Sequence, residues 1–173
     1  EFVTGLQCES VAADLTTFVK GRQLDDDASI MIRMSDNVKG NLSISQIATG
    51  QENSFAISIY GDKGALHWSQ ENPNYARFSK VGTADQTITR GGAIQNENSY
   101  ASIRIPPGHP EGYLEGFAQI YSDVADIILE HKNKNKLLKL LPGGESGLQI
   151  MKFINASVKS SKNNSIWTNL NSI

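Results

Sequence analysis

The spacing of the hydrophobic residues changes part-way along this chain, and that change limits the possible folds more than any single motif does. Up to about residue 105 apolar and polar residues alternate, as in Ile30–Met34, Leu42–Ser45 and Phe55–Tyr60. From Tyr113 onwards apolar residues recur every three or four positions. Alternation is typical of strands with one buried face, and the longer spacing is typical of amphipathic helices. The chain therefore predicts a group of strands followed by a group of helices.

Short turn sequences separate the predicted strands. Asp36-Asn37 and Gly61–Gly64 contain residues that tolerate positive φ, so each predicts a hairpin. The acidic run Asp25–Asp27 is interpreted as a solvated loop, because adjacent carboxylates in a turn cannot flank a glycosidic bond. Further strands are predicted at Leu66–Trp68, Ala76–Val81, Gln86–Thr89 and Ala101–Ile105.

Two long helices are predicted, from Tyr113 to about His131 and from Ser146 to about Ser160. Lys132–Lys136 is interpreted as a solvated connector, and Pro142–Gly144 as a break before the second helix. Strands grouped before helices predict an α+β fold, an open and predominantly antiparallel β-sheet with helices packed on one face. The chain is assigned to a single domain, residues 1–173. The predicted packing stripes are Leu114, Phe117, Tyr121, Val124 and Ile128 in the first helix, and Leu148, Met151, Ile154 and Val158 in the second.

Composition and charge exclude several classes of function. A net charge of −2 provides no basic surface, so nucleic acid is not an expected partner. The chain contains no apolar run long enough to span a bilayer. A single cysteine, Cys8, favours a reducing compartment such as the cytoplasm. Glu1–Gly5 is typical of the end of a helix closed by glycine, so the chain is interpreted as a fragment of a longer protein.

Two motifs suggest sites that the surrounding sequence does not support. Gly143–Gly147 is superficially like a dinucleotide loop, but it lacks the glycine spacing and the βαβ context of that fingerprint. His109-Pro110-Glu111 matches half of a zinc-deaminase motif, but the required cysteine pair is missing downstream. We therefore expect neither a bound cofactor nor a metal site in this chain.

The segment Arg104–Tyr113 is more informative. Three prolines and two glycines between positions 106 and 112 predict a stiff loop that carries Arg104, His109, Glu111 and Tyr113. Polar groups on such a loop suit a polyhydroxylated ligand. The alternative is a structural loop in which His109 and Glu111 cap the following helix. The residues alone leave both readings open.

Several segments resemble the Gfo/Idh/MocA family of oxidoreductases. Ile59–Trp68, followed by Gln70–Asn74, resembles the central hairpin of that family. Pro107–Phe117 is similar to the family's loop and following helix, and Gly147–Trp167 is similar to its ending. Glu1–Gly5 resembles the tail of the helix that follows the family's catalytic segment. The resemblance covers nearly the whole chain in order.

The resemblance implies a dihydrodipicolinate-reductase-like C-terminal domain, separated from an N-terminal Rossmann domain that holds NAD or NADP. It implies hydride transfer between nicotinamide and a carbinol carbon of a sugar or polyol, and a homo-oligomer formed through the sheet face. The family's catalytic lysine and Asp-x-x-x-His segment are not in this chain. The chain alone is therefore expected to be inactive, with no catalytic residue of its own.

What remains is a set of expected substrate contacts. His109 is the first candidate, followed by Tyr113 and Glu111, with Gln46 and Asn53 contributing from the sheet ends. Trp68 is assigned to the core or to an interface. The alternative functions are a non-catalytic sugar-sensing or assembly domain of the same architecture and a free-standing carbohydrate-binding sheet protein.

Overall fold

The computed structural model describes residues 1–93, 97–129 and 134–173. Within these ranges the strands form two four-stranded sheets, with the orders β3-β2-β1-β8 and β4-β5-β6-β7. The strands are β1 (Cys8–Thr16), β2 (Asp27–Met34), β3 (Lys39–Ser45), β4 (Ala56–Tyr60), β5 (Gly64–Ser69), β6 (Tyr75–Lys80), β7 (Gln86–Thr89) and β8 (Thr168–Asn169). The helices are α1 (Glu97–Ala101), α2 (Tyr113–Ile128), α3 (Lys134–Leu140) and α4 (Gly144–Lys162). Short 3-10 turns cover Ser35–Asn37 and Leu170–Ser172.

The chain divides into two compact units. The first unit comprises Glu1–Gly50 and Pro142–Ile173 and contains the first sheet and α4. The second unit, Gln51–Leu141, contains the second sheet and α1 to α3. Every strand pairing among the described residues is antiparallel. The predicted α+β class and its antiparallel character are confirmed, with the strands divided between two sheets.

Both predicted hairpins are present. Asp36 and Asn37 join β2 to β3 with φ angles of 56° and 59°, which asparagine and aspartate tolerate better than most residues. Gly61–Gly64 joins β4 to β5, and the Gly61 N–H donates to the Gly64 carbonyl over 2.8 Å. Gly5 has a φ of 71° and its N–H donates to the Glu1 carbonyl, which is the geometry of a helix-ending glycine.

The core of the first unit lies between α4 and the centre of its sheet. Val11 and Ala13 on β1 pack with Ile30 on β2, as their alternate positions predict. Ala156 on α4 and Leu170 in the last 3-10 turn belong to the same buried cluster. The buried residue that α4 contributes to this cluster is an alanine, so the helix can lie close to the strands.

Hydroxyl groups of α4 replace a missing strand at the edge of β1. β8 pairs with β1 only at Ser10 and Val11. Further along that edge, the N–H of Ala13 donates to Ser160 Oγ over 2.9 Å, and the N–H of Leu15 donates to Ser161 Oγ over 3.0 Å. Buried backbone N–H groups need an acceptor, and these two serines provide it.

The packing face of α4 differs from the predicted stripe. The predicted residues Leu148, Met151 and Ile154 are exposed in this chain. The buried face instead carries Ala156, Ser157 and Ser160. The prediction followed the three- and four-residue spacing of the large apolar residues, whereas close approach and hydroxyl pairing decide which face of this helix is covered. In α2, whose start at Tyr113 is confirmed, the exposed residues likewise include Leu114, Phe117, Tyr121, Val124 and Ile128.

Two local predictions were wrong. Ala101–Ile105 is not a strand, because α1 ends at Ala101 and the next four residues are irregular. The connector assigned to Lys132–Lys136 already contains the start of α3 at Lys134. Its first two residues, like the predicted helix end at His131, lie outside the described residues.

The Asp25–Asp27 run is also different from the solvated loop that was predicted. Asp26 is buried, and its carboxylate accepts the N–H groups of Phe18 and Val19 over 2.8 and 3.0 Å. Arg22 Nη1 forms an ion pair with the same carboxylate at 3.2 Å. Asp26 therefore closes the loop between β1 and β2, and Asp27 already belongs to β2.

Asp26→Asn is expected to lower the melting temperature at neutral pH and to weaken its acid dependence. The hydrogen bond from the Phe18 N–H is the main cause that lowers the pKa of Asp26 below its ordinary value. A carboxyl with a lowered folded pKa stabilises the protein above its unfolded pKa of about 3.9, and this contribution disappears as the pH falls through the folded value. Melting curves from neutral to acid pH test this, with the exposed Asp25→Asn as the matched control. The same acid dependence in Asp26→Asn as in the control would contradict it.

The second sheet has one apolar and one polar face. Ile57, Trp68 and Ile88 share the apolar face, whereas Ser58 and His67 lie on the other. Trp68 Nε1 donates to the Pro73 carbonyl over 3.1 Å, and its ring meets Phe55 edge-on at 5.9 Å. Trp68 therefore has a packing role in this unit, as expected. None of the helices in the described ranges is long and apolar enough to cross a membrane.

Candidate binding site

A cavity of about 760 Å3 lies within the second unit. Its wall is formed by the residues before β6, the end of β7 and the loop leading into α2. Because Tyr75 pairs with Thr89, residues 74 and 90 meet at the same end of the two strands. The segments that line the cavity are residues 71–75, 89–90 and 107–115.

Arg90 holds the loop in place. Its Nε donates to Asn74 Oδ1 over 2.8 Å, and its Nη1 donates to the Ile105 carbonyl over 2.8 Å. Its Nη2 donates to the carbonyls of Pro106 and His109 over 3.4 and 2.6 Å. One guanidinium thus binds three carbonyls of a proline-rich loop, whose own backbone has no strand to satisfy it.

Asn74 joins the same loop from the other side. Its amide donates to the Glu111 carbonyl over 2.9 Å, and its Oδ1 accepts the Glu111 N–H over 3.1 Å. This pair of bonds resembles the pairing of two strands, so Asn74 acts as a short strand partner for one loop residue. The position of the loop is thereby fixed at both ends of the His109–Glu111 segment.

The carboxylate of Glu111 is used within the protein. Its Oε1 accepts the Arg104 N–H over 2.7 Å. Its Oε2 lies beside Arg90 Nη1 as an ion pair and accepts no hydrogen bond of regular geometry. Arg104 in turn donates to Gln119 and Ser122 of α2, both over 3.1 Å. These contacts connect the loop to the helix that follows it.

The first turn of α2 is capped by its own glutamate. Gly112 is the N-cap residue, and its N–H donates to Glu115 Oε2 over 2.8 Å. The hydrogen bond from Gly112 is the main cause that lowers the pKa of Glu115. Helix capping, assigned in one reading to His109 and Glu111, is thus provided by Glu115.

Gly91→Ala is expected to destabilise the protein more than Gly82→Ala does. Both glycines have left-handed φ angles, 77° and 78°, so alanine at either position is strained by about 1–2 kcal/mol. At Gly91 the new Cβ also meets Pro107 Cγ at 2.5 Å, whereas Gly82 faces open space. This clash adds at least about 1 kcal/mol. Urea denaturation of the two variants measures the difference, and equal losses would show that the Gly91–Pro107 contact is not tight.

The structure brings three of the predicted substrate contacts to one cavity. His109 is exposed on the cavity wall, and its backbone rather than its imidazole binds Arg90. Tyr113 is also exposed, with its ring 4.7 Å from that of Phe117. Glu111 lines the same wall through the buried ion pair. The loop therefore holds the backbone rigidly and leaves the imidazole and phenol side chains available to a ligand.

The other two predicted contacts are not part of this cavity wall. Gln46 is an exposed residue of the first unit whose N–H donates to the Asp26 carbonyl over 2.8 Å. Asn53 is an exposed residue of the loop before β4. Sequence reasoning missed Arg90 and gave Asn74 no role in the site. The available signal was their place in the sequence: Arg90 directly follows β7 and Asn74 directly precedes β6. When two such strands pair, the residues that flank their paired ends lie side by side.

The glycines of Gly143–Gly147 lie in a different setting from a dinucleotide loop. Gly143 is the N-cap residue of α4, and no strand leads into it. A dinucleotide cradle needs a parallel βαβ unit, whereas the described pairings are all antiparallel. In the same ranges no group of three or more potential metal ligands lies together.

Comparison with known proteins identifies the family. The family model described as "Oxidoreductase family, C-terminal alpha/beta domain", which is that of Gfo/Idh/MocA proteins, matches residues 5–170. The chain belongs to this family. The Gfo/Idh/MocA chain is also 27% identical over 167 residues to the uncharacterized oxidoreductase YfiI of Bacillus subtilis (strain 168), covering 94% of the chain and 42% of that protein.

Solved structures show the same fold. An oxidoreductase from Sinorhizobium meliloti is 43% identical, with a TM-score of 0.90 over 96% of this chain and 47% of that one. An inositol dehydrogenase homolog from Azotobacter vinelandii, complexed with NADH and myo-inositol, is 22% identical, with a TM-score of 0.85 over 95% and 45%. A levoglucosan dehydrogenase complexed with NADH and levoglucosan is 20% identical, with a TM-score of 0.78 over 94% and 45%. The chain thus spans less than half the length of these relatives.

Proposed function

We propose that this Gfo/Idh/MocA domain forms the substrate side of an NAD(P)-dependent oxidoreductase that acts on a sugar or polyol. In this reaction a hydride passes between a carbinol carbon of the substrate and the nicotinamide. The observation that carries the proposal is the 760 Å3 cavity, in which Arg90 fixes the loop backbone while His109 and Tyr113 stay exposed.

The side chains on this wall suit a ligand with many hydroxyl groups. A neutral imidazole donates one hydrogen bond and accepts another, so His109 can bind two hydroxyls of a ring. The Tyr113 phenol adds a further donor and acceptor, and its ring offers an apolar surface to the carbon face of a sugar. Since the loop that carries His109 and the first turn of α2 that carries Tyr113 are already ordered, less conformational entropy is lost on binding.

The solved relatives favour the same class of substrate. Two structures of this fold contain NADH together with myo-inositol or levoglucosan, and both of those compounds are polyhydroxylated. We assign the nicotinamide to a separate nucleotide-binding domain, because the described strands of this chain pair antiparallel, whereas a dinucleotide cradle needs a parallel βαβ unit. We therefore propose that the chain alone binds no nicotinamide and is inactive, and that the whole protein is a homo-oligomer.

The test uses a full-length protein that carries this domain. Reduction of NAD and of NADP is followed with a panel of neutral hexoses and cyclic polyols. Turnover of at least one member supports the proposal, whereas oxidation of none, with no binding in calorimetry, would refute it. Binding of a polyol without any hydride transfer would instead favour the alternative of a non-catalytic sugar-sensing domain.

A further inference from the structure

In the described part of the cavity wall, the guanidinium of Arg90 and the N-terminus of α2 are the groups best suited to bind an anion, and both already have partners within the chain. The first is the guanidinium of Arg90. Its Nε faces Asn74, its Nη1 faces the Ile105 carbonyl and Glu111, and its Nη2 faces the carbonyls of Pro106 and His109. Among the described residues, these acceptors meet all three nitrogens of the guanidinium. A phosphate or carboxylate of a ligand would therefore have to displace one of them.

The second group is the N-terminus of α2. Helix N-termini attract anions through their unpaired N–H groups and their dipole. Here the carboxylate of Glu115 takes that position, accepting the Gly112 N–H over 2.8 Å. The chain therefore supplies its own anion where a ligand anion would bind.

The charge of the wall points in the same direction. Glu71, Glu111 and Glu115 line the cavity, and Arg90 is the only lysine or arginine among the described residues of its lining. Its glutamates and arginine together contribute a net charge of −2. Glu71 is exposed, and one of its oxygens accepts the Ser54 N–H. A ligand anion in this cavity would be repelled by the glutamate carboxylates, because the one arginine of the described lining is already engaged by Glu111.

We propose that this site selects uncharged polyhydroxylated substrates and discriminates against their phosphate esters and uronic acids. The inference rests on the proposed function, since it specifies the class of sugar or polyol. It assigns Arg90 a positioning role and makes Glu71 and Glu115 determinants of specificity through charge.

The experiment uses a full-length protein that carries this domain and the neutral polyol with its highest kcat/KM. Three compounds are compared: that polyol, its phosphate monoester, and its methyl ether at the same position as a control for bulk. The ether is expected to keep kcat/KM within about threefold, and the phosphate to lose at least about tenfold more than the ether. The ratio of kcat/KM for the ether to kcat/KM for the phosphate, called the gap below, is expected to fall at high salt, because screening weakens the repulsion between charges.

Glu71→Gln provides a second measurement. The glutamine keeps an oxygen for the Ser54 N–H and removes the charge, so the gap between phosphate and ether should shrink about threefold. Glu52→Gln, which changes an exposed residue of the same unit outside the cavity lining, should leave the gap unchanged.

Each outcome decides between the two proposals. A phosphate ester used as well as the ether, or better, overturns the inference and leaves the proposed function intact. An equal loss of kcat/KM for the ether and the phosphate also overturns the inference, because the site then discriminates by the bulk of the substituent and not by its charge. If no polyol of either kind binds, the proposed function fails and the inference fails with it.

Discussion

Arg90→Ala is expected to lower the free energy of unfolding by about 3–5 kcal/mol, the usual effect of removing one partner of a buried ion pair. The Arg90 and Glu111 side chains are only 16% and 8% exposed. The substitution leaves the Glu111 carboxylate without its cation and the carbonyls of Ile105, Pro106 and His109 without their donor. Urea denaturation followed by circular dichroism measures the loss.

Two further variants make this result specific. Arg90→Lys keeps the charge but cannot reach four acceptors from one planar group, so it should recover only part of the loss. Arg77→Ala removes an exposed arginine on β6 and should change stability by less than about 0.5 kcal/mol. If Arg90→Ala lowered the free energy of unfolding no more than Arg77→Ala does, Arg90 would not hold the loop.

His109→Ala is expected to reduce kcat/KM for the cognate polyol by about 5- to 150-fold in a full-length protein, the equivalent of about 1–3 kcal/mol of lost hydrogen bonding. Stability and nicotinamide affinity should stay unchanged, because the imidazole is exposed and only the backbone of His109 binds Arg90. Steady-state kinetics and calorimetry with the cofactor measure the two effects separately.

His67→Ala is the control for this substitution. The His67 ring lies outside the cavity wall, with its Nδ1 2.8 Å from Ser58 Oγ on the neighbouring strand. Its removal should leave kcat/KM within about twofold of the wild-type value. A lower melting temperature with normal kinetics in His109→Ala would make the residue structural and remove it from the substrate site.

Local signals predicted much of the fold. The hairpin at Asp36-Asn37 needs residues that accept positive φ, and the start of α2 follows a proline- and glycine-rich loop, so both are visible in neighbouring residues. β7 was predicted with its observed bounds, Gln86–Thr89, from alternation alone. The cavity loop itself was also predicted, because its prolines stand out without any knowledge of packing.

The missed features depend on partners that are distant in sequence. Ser160 accepts the Ala13 N–H from 147 residues away, so its burial cannot be read from the helix pattern. Asp26 is buried because the loop at Phe18 and Val19 folds back onto its carboxylate. Arg90 follows a weak strand in an unremarkable sequence, and only the register of β6 and β7 reveals that it reaches Asn74.

A crystal structure of a full-length protein that carries this domain, bound to nicotinamide and its best polyol, tests the central claim most directly. We predict that the polyol occupies the cavity between residues 71–75 and 107–115, with a hydroxyl within hydrogen-bond distance of the His109 imidazole. Arg90 should keep its loop carbonyls and make no contact with the ligand. A polyol bound elsewhere, with this cavity empty, would contradict the account.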